Sequence, residues 1–537
     1  MKLKFVAALL AGSATCLSAP AFAQEPLPET QQDPTEPDAS DAAADAAIAG
    51  AQPVDEGQAK IELLQEQVQA LQEAIEQIKT QQAKVTPSWK GAPLYEDKEE
   101  GWSFKPRGRI QWDAGYVSNP DDEPNGGLIT RNLGFNTRAR RIRLGAEGTI
   151  PGGFGYKFEM DFANAAVGFG DVILTYAPKD KPYNFIIGNH ETWNGLEQIS
   201  SSRFLSFMER AAFNDAFINT RRIGLSLGAV NKAGDLRFNA GIFAAHSIDA
   251  TFDNEGWIAA ARGVYSPLLG GNQFHFGANY QHRKFQANNG GTTSGASGAP
   301  STNQLARYRA RPFTQTTDIR FVDTGNFAAK SDDIFGLEFA GIFKSLHVAA
   351  EGQYLRSIGY GSGDTFNFTD SPTLNQFPGG LVTTLVAGGN PSFKGGYLEA
   401  GYYLTGETRG YKNGTWDRTK VLKPFSKGGW GAVQVNGRVD YLDLDDSDLR
   451  NGFNNNFQTG VAAASLNDTR GGKQLGLLAS LVWIPEDYFR MYFQYSHAFI
   501  QGGPFIDEVE GVLATEPGLE DEKYGVDFIG TRAQIDF

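Results

Sequence analysis

From Trp102 to Phe537 the sequence alternates apolar and polar residues with a period of two, in segments of about ten residues, and this limits the fold more than any other feature. In the last segment Ile529, Thr531, Ala533, Ile535 and Phe537 share one face, while Gly530, Arg532, Gln534 and Asp536 share the other. Val433, Val435, Val439 and Tyr441 alternate in the same way with Gln434, Asn436, Arg438 and Asp440. Such strands suit a wall with lipid on one side and water on the other. A water-soluble sandwich also alternates, but with strands of about half this length. In lipid every backbone polar group needs a partner, so the strands must close into a barrel with no free edge.

Sixteen segments of this kind run from one near Arg107 to one near Gly525. Their connectors alternate long and short, with Pro151-Gly152-Gly153, Asn231 to Gly234, Lys344-Ser345 and Pro485-Glu486-Asp487 among the short ones. The stretch from Thr405 to Gly429 breaks the rhythm: it is long where a short turn is due, which implies a mis-set strand or an elaborated turn. The expected fold is all-β, a 16-stranded antiparallel transmembrane β-barrel over 102–537, with an N-terminal coiled-coil helix on the periplasmic side.

The residues before the barrel read as four segments. Residues 1–23 carry Lys2 and Lys4, an apolar stretch and Ala21-Phe22-Ala23, the pattern of an export signal. Residues 24–57 hold nine acids and no Lys or Arg, an acidic disordered spacer. Residues 58–86 place Ile61, Leu64, Val68, Leu71, Ile75 and Ile78 at heptad spacing, a coiled coil that allows a dimer or a trimer. Its alternative is an amphipathic helix lying on its own domain. Thr86-Pro87 ends it, and 87–101 is expected to be a linker. Residues 1–101 contain 7 basic and 17 acidic side chains, so most of the net charge of −14 sits there and the barrel segment is nearly neutral.

Several functions are excluded. No apolar run is long enough to cross a bilayer as a helix. The single cysteine, Cys16, lies in the signal, which removes thiol chemistry and cysteine metal sites from the mature chain. The six histidines are scattered singly, so no metal site is expected. His246-Ser247 lacks the flanking polar partners of a triad, and no catalytic residue, cofactor or nucleic-acid partner is expected. Asp443, Asp445, Asp446 and Asp448 could hold Ca²⁺ or bridge lipopolysaccharide, or simply form a solvated acidic loop.

If the apolar face points outward, the polar face lines the lumen. Arg107, Arg109, Arg141, Arg143, Arg222 and Arg438 fall on that face, with Arg237, Arg262, Arg283 and Arg532. Arginine stays charged and grips planar oxyanions through its fork, so a column of them favours anions. The alternative is that each braces the wall against an inward acid such as Glu147, Glu159, Asp161 or Asp440. The connector from Asn189 to Ile218 contains Trp193, Leu196, Ile199, Phe204, Leu205, Phe207, Met208, Phe213 and Phe217, too apolar for a loop in solvent. It should fold inward and narrow the pore. Gln198, Ser200, Ser201, Ser202, Arg203 and Arg210 lie on it, and hydroxyls beside Arg203 could replace part of an anion's hydration shell.

These residues resemble the phosphate-selective porin O/P family of Gram-negative outer membranes. The resemblance is carried by Gly108 to Asp113, Arg140 to Leu144, Gly195 to Arg203 with Met208-Glu209-Arg210, Leu398 to Glu407, Gly429-Trp430-Gly431 with Arg438, and Leu475 through Trp483 to Arg490. Leu404-Thr405-Gly406-Glu407 is the most specific part. The resemblance implies homotrimers in the cell outer membrane, an inward third loop and passive diffusion of phosphate or related small anions. It also implies anion contact at Arg109, Arg141, Ser201 and Ser202. Gln198 stands where the family's phosphate-selective members have a lysine, which leaves a general or sugar-type diffusion porin as the alternative. The helix would staple the trimer or hold peptidoglycan or another periplasmic partner.

Overall fold

The computed structural model describes residues 56–85, 87–120, 133–163, 166–248, 256–285, 305–359, 383–451, 453–456, 461–463, 470–513 and 517–537. The expected signal, 1–23, and all but the last two residues of the expected spacer, 24–57, lie outside the described residues. The chain divides into two units, 1–76 and 77–537. Helix α1 (Glu56–Val85) starts in the first and covers the heptad stretch. It is rich in Ala, Leu, Glu, Gln and Lys, the strong helix formers, and it stops before Pro87. Its apolar seam is bare, with Ile61, Leu64, Val68, Leu71 and Ile75 each between 48% and 62% exposed.

The second unit holds sixteen antiparallel strands closed into a barrel. They are β1 (Trp102–Val117), β2 (Gly134–Ile150), β3 (Phe154–Asp161), β4 (Gly168–Tyr176), β5 (Tyr183–His190), β6 (Arg222–Val230), β7 (Leu236–Ala244) and β8 (Gly256–Tyr265). The circuit continues through β9 (Asn272–Phe285), β10 (Ser331–Phe343), β11 (Leu346–Ile358), β12 (Ser392–Tyr403), β13 (Ala432–Asp443), β14 (Lys473–Glu486), β15 (Phe489–Gln501) and β16 (Lys523–Asp536). Each pairs with the next, and β16 closes on β1 in the register Asp536↔Arg109 to Phe528↔Val117. The seam ends with Phe537 and Gly108 exchanging backbone hydrogen bonds of 3.0 and 3.1 Å. A Cβ at Gly108 would lie 2.1 Å from the ring of Phe537, so glycine leaves the space that this ring occupies.

The alternation predicted from sequence is the wall of this barrel. On β13, Val435, Val439 and Tyr441 are exposed while Gln434, Asn436, Arg438 and Asp440 are buried inside. On β16, Ile529 and Ile535 face out against buried Arg532, Gln534 and Asp536. Outward Phe, Tyr, Trp, Leu and Ile continue around the circuit, which is the surface lipid requires. The stretch 87–101, expected as a linker, contains two short strands, Ser88–Trp89 and Pro93–Asp97, and the second pairs with the start of β1 through Tyr95↔Phe104.

Connectors from both ends of the barrel fold into the lumen. From the long-loop end come the β5–β6 connector, as expected, and residues 305–330, which the sequence reading had not singled out. The latter are tied to β2 by Asn136 and Arg138, which donate to the carbonyls of Thr316 (2.7 Å) and Gln315 (3.1 Å). From the short-turn end comes 404–431, so the irregular turn is an elaborated one and no strand was mis-set. It carries a small hairpin, Gly410–Lys412 with Thr415–Asp417, whose Trp416 is buried. The core therefore lies inside the barrel, where Leu196, Phe207, Met208, Phe213, Tyr308, Phe313, Phe321 and Trp416 belong to one apolar cluster.

Candidate functional site

The site begins with a break in the alternation. Gln111 pairs with Arg141 but its neighbour Trp112 pairs with Ala139, so Arg140 is an extra residue in β2. Such a bulge changes the parity of the strand beyond it. Arg138 lies inward on one side of the bulge and Arg141 and Arg143 on the other, and Arg140 itself also turns in to grip Glu209 of the β5–β6 connector at 2.8 and 3.0 Å. Four arginines within six residues thus reach the lumen. Strict alternation would have placed Arg140 outward, and the run Arg-Ala-Arg-Arg-Ile-Arg was the available signal.

The β5–β6 connector crosses the lumen to meet them. It starts at Gly195, whose positive φ of 53° suits glycine and whose missing Cβ leaves room for the Glu351 carboxylate. Glu351 accepts from the backbone N–H groups of Leu196 (2.6 Å) and Glu197 (2.8 Å), fixing the short helix α2 (Leu196–Ile199). On the far wall Gln494 accepts from Met208 N (2.8 Å) and Asp440 from Ala212 N (3.2 Å). Arg210 donates to the carbonyls of Glu197, Gln198 and Ser200, holding the serine run in shape. Its apolar side chains settle onto the internal cluster, with Phe207 and Phe213 fully buried.

Between this connector and the wall of β1–β4 lies a cavity of about 610 Å³, lined by ten Arg or Lys and five Asp or Glu side chains. All five acids are engaged. Glu159 binds Arg143 (2.6 Å), Glu209 binds Arg140 and Arg532, Asp215 binds Arg311, and Asp171 and Glu191 share Arg221. The cations are not all engaged in return. Arg109 donates to Ser202 Oγ (2.6 Å) and Ser201 Oγ (3.4 Å), with Glu159 no nearer than 3.9 Å. Arg141 donates to the neutral Gln111 (2.7 Å) and makes no ion pair among the described residues. Arg203 bonds Ser201 Oγ (3.1 Å), with Asp536 3.5 Å away and shared with Arg418. Burial, reinforced by the Arg107 cation, pulls Arg203 down to about 10, so it is charged at neutral pH. Burial works against ionisation of Glu209, yet Arg140 and Arg532 hold it well below the usual carboxylate range.

Of the residues singled out from sequence, Arg109, Arg141, Arg143, Gln198, Ser200, Ser201, Ser202, Arg203 and Arg210 line this one cavity. Ser200 turns its hydroxyl away, to accept from Trp416 N. Gln198 gives its amide N–H to Glu191 (2.9 Å). Arg222 and Arg438 are not among the lining residues. Arg222 donates to the carbonyl of Ala245, and Arg438 is sealed between Glu197 (2.5 Å) and Glu399 (2.6 Å). Arg262 with Glu338, Arg283 with Asp332 and Arg532 with Asp113 are braces of the same kind. Sequence reading missed Arg140, Lys157, Arg221 and Arg311 as cavity residues.

A closed barrel with an apolar exterior and a polar constriction folded across its lumen is the architecture of a porin, a channel of the outer membrane. The chain belongs to the phosphate-selective porin O and P family, whose model matches residues 104–499. It is similar to an uncharacterised protein of Caulobacter vibrioides, at 33% identity over 86% of this chain and 78% of that one. It is also similar to Porin O of Pseudomonas aeruginosa, at 25% identity over 69% of this chain and 80% of that one. Among solved structures, the outer membrane channel DcaP of Acinetobacter baumannii matches at 12% identity with a TM-score of 0.43, covering 81% of this chain and 98% of that one. The anion-selective porin from Comamonas acidovorans matches at 13% identity with a TM-score of 0.41, covering 81% and 100%.

Proposed function

We propose that this porin passes small anions, phosphate and related oxyanions foremost, by passive diffusion through the arginine-lined cavity. The observation that carries the reading is the meeting of Arg109 and Arg203 on the hydroxyls of Ser201 and Ser202, beside an Arg141 that makes no ion pair among the described residues. Those hydroxyls accept from arginine, so their own protons remain to be donated to an oxyanion. In a lumen walled by lipid such charges are weakly screened and raise the local anion concentration. The membership of a family described as phosphate-selective supports the same reading. Gln198 and Glu191 stand in the cavity as well, so the preference is for anions as a class and not for phosphate alone.

Three further assignments belong to this reading. The short-turn rim of the barrel faces the periplasm, and α1 is a periplasmic helix. Its bare heptad seam is the surface through which copies associate as a homotrimer. Outer-membrane lipids, including lipopolysaccharide, cover the exposed apolar band.

The test is reconstitution in a planar bilayer, with the zero-current potential measured under a KCl gradient and phosphate titrated against chloride current. Anion selectivity with block by phosphate is the expected result, and Arg109→Ala and Arg141→Ala each weaken the block. Cation selectivity, or no effect of phosphate, would make the arginines wall braces in a general porin.

A further inference from the structure

The cavity is larger than a bare oxyanion, and its chemistry changes from one side to the other. Its volume of about 610 Å³ falls in the range of sites that enclose whole small molecules, roughly 300–1,000 Å³. A tetrahedral oxyanion displaces only a few waters, each worth roughly 30 Å³. On the β1–β2 side, Arg109, Arg141 and Arg203 converge on Ser201 and Ser202, as described. On the β4–β6 side the charges cancel. Arg221 lies between Asp171 (2.5 Å) and Glu191 (2.8 Å), and Lys157 is ion-paired to the same Asp171.

What the second side offers is hydrogen-bond acceptors. Gln198 gives its N–H to Glu191, which leaves its amide oxygen to accept. Glu191 is a carboxylate with acceptor capacity beyond its two partners. Thr220 lines the same side with a hydroxyl. Acceptors repel a second anionic group and welcome O–H donors. The site therefore matches a solute with one oxyanion and a neutral body carrying hydroxyls.

Resting on the anion reading above, we propose that the constriction takes phosphate monoesters of small polyhydroxy molecules. The phosphoryl group sits on Arg109, Arg141 and the Ser201–Ser202 hydroxyls, and the hydroxyls of the body donate to Gln198 and Glu191. The absence of a cation at 198 then broadens the substrate without abolishing anion binding.

The experiment is block of chloride current in reconstituted channels by inorganic phosphate, pyrophosphate, glucose 6-phosphate and glucose. Glucose 6-phosphate is expected to block at about tenfold lower concentration than phosphate, the worth of one or two extra hydrogen bonds. Glucose should not block at these concentrations. Gln198→Leu should narrow the ratio between ester and phosphate, and Arg109→Ala should weaken the block by both. If phosphate blocks and the ester is equal or weaker, or if pyrophosphate blocks better than the ester, this proposal fails while anion passage stands. If no anion blocks and the channel prefers cations, the anion reading fails and this proposal with it.

Discussion

The backbone N–H of Trp416 donates to the hydroxyl of Ser200 at 2.9 Å, so a connector from the short-turn rim is tied to the residue beside the two serines that meet Arg109. Arg409 makes the same connection a second time. Its guanidinium donates to Ser206 Oγ (2.7 Å) and to the carbonyl of Phe204 (3.0 Å), and it lies 4.2 Å over the ring of Trp416. The two inserted connectors, from opposite ends of the barrel, therefore hold each other in place. Removing the guanidinium leaves buried acceptors unpaired, at a cost of about 1–3 kcal/mol each. Arg409→Ala is expected to loosen both connectors, giving larger and noisier single-channel currents with a barrel that still resists denaturant. Currents indistinguishable from wild type would mean that the connectors hold their places independently.

The Gln198 position makes a graded test of selectivity. A unit charge about 4 Å from an anion is worth roughly 1–4 kcal/mol between the dielectric of water and that of a protein surface. Gln198→Lys should therefore strengthen phosphate block by about tenfold or more. Glu191 is hydrogen-bonded to this side chain and would pair with the new ammonium, which absorbs part of the gain. The double variant Gln198→Lys with Glu191→Gln should accordingly exceed the single one. Equal block constants for both variants and wild type would show that anions pass without touching this part of the connector.

How far the sequence was legible depended on whether local period or tertiary insertion decided the outcome. The barrel strands were readable because lipid outside and polar groups inside impose alternation on every one, and Val435 against Arg438 already shows it. The inward β5–β6 connector was readable because residues such as Leu196, Phe207 and Phe213 have no place in solvent. The insertion of 305–330 carries the same kind of signal in Phe313, Phe321 and Phe327, diluted by a long polar connector around it. The bulge at Arg140 was legible only as the run Arg-Ala-Arg-Arg-Ile-Arg, because one extra residue leaves no trace in composition while it brings Arg138 and Arg140 into the lumen together with Arg141 and Arg143. Pairing was out of reach for a different reason. Arg438 and Arg141 look alike in sequence, and only the arrival of Glu197 and Glu399 beside the former separates a brace from an open cation.

The braces predict stability where the open cations predict selectivity. Arg438 is almost fully buried and holds Glu197, which in turn accepts from Ala211 N (2.8 Å) and Asn214 (2.9 Å). Breaking a buried pair by removing one partner costs about 3–5 kcal/mol, since the other charge stays behind. Arg438→Ala should lower the temperature at which the folded barrel loses its compact electrophoretic form. An unchanged transition would show that Glu197 finds another cation.

Neutralising Glu159 tests the sign of the cavity's charge. This carboxylate holds Arg143 at 2.6 Å and stands 3.9 Å from Arg109, so it screens two of the cations that face a passing anion. Glu159→Gln keeps the shape and removes one negative charge from the lining. The zero-current potential in a KCl gradient should shift further toward chloride, and phosphate block should tighten. A shift toward potassium would mean that Arg143, once released, swings out of the cavity, and that Glu159 serves to hold it there.

The exposed seam of α1 gives the last prediction. Leu64, Val68 and Leu71 lie more than half exposed, an arrangement that an isolated helix of this length does not hold on to in water without a partner surface. The chain has one cysteine, Cys16, inside the expected export signal, so the mature protein has none to compete with an introduced thiol. A V68C substitution should then form disulfides between copies under mild oxidation if the heptad seam joins them, because facing a-position residues of a parallel coiled coil come close enough for a bridge. The product should be a dimer on a denaturing gel even from a trimer, since three thiols at one level can make one disulfide. A control at Glu73, on the outer face of the heptad opposite the seam, should give none. Equal cross-linking at both positions would indicate random collision, and none at either would leave the seam to bind a different periplasmic partner.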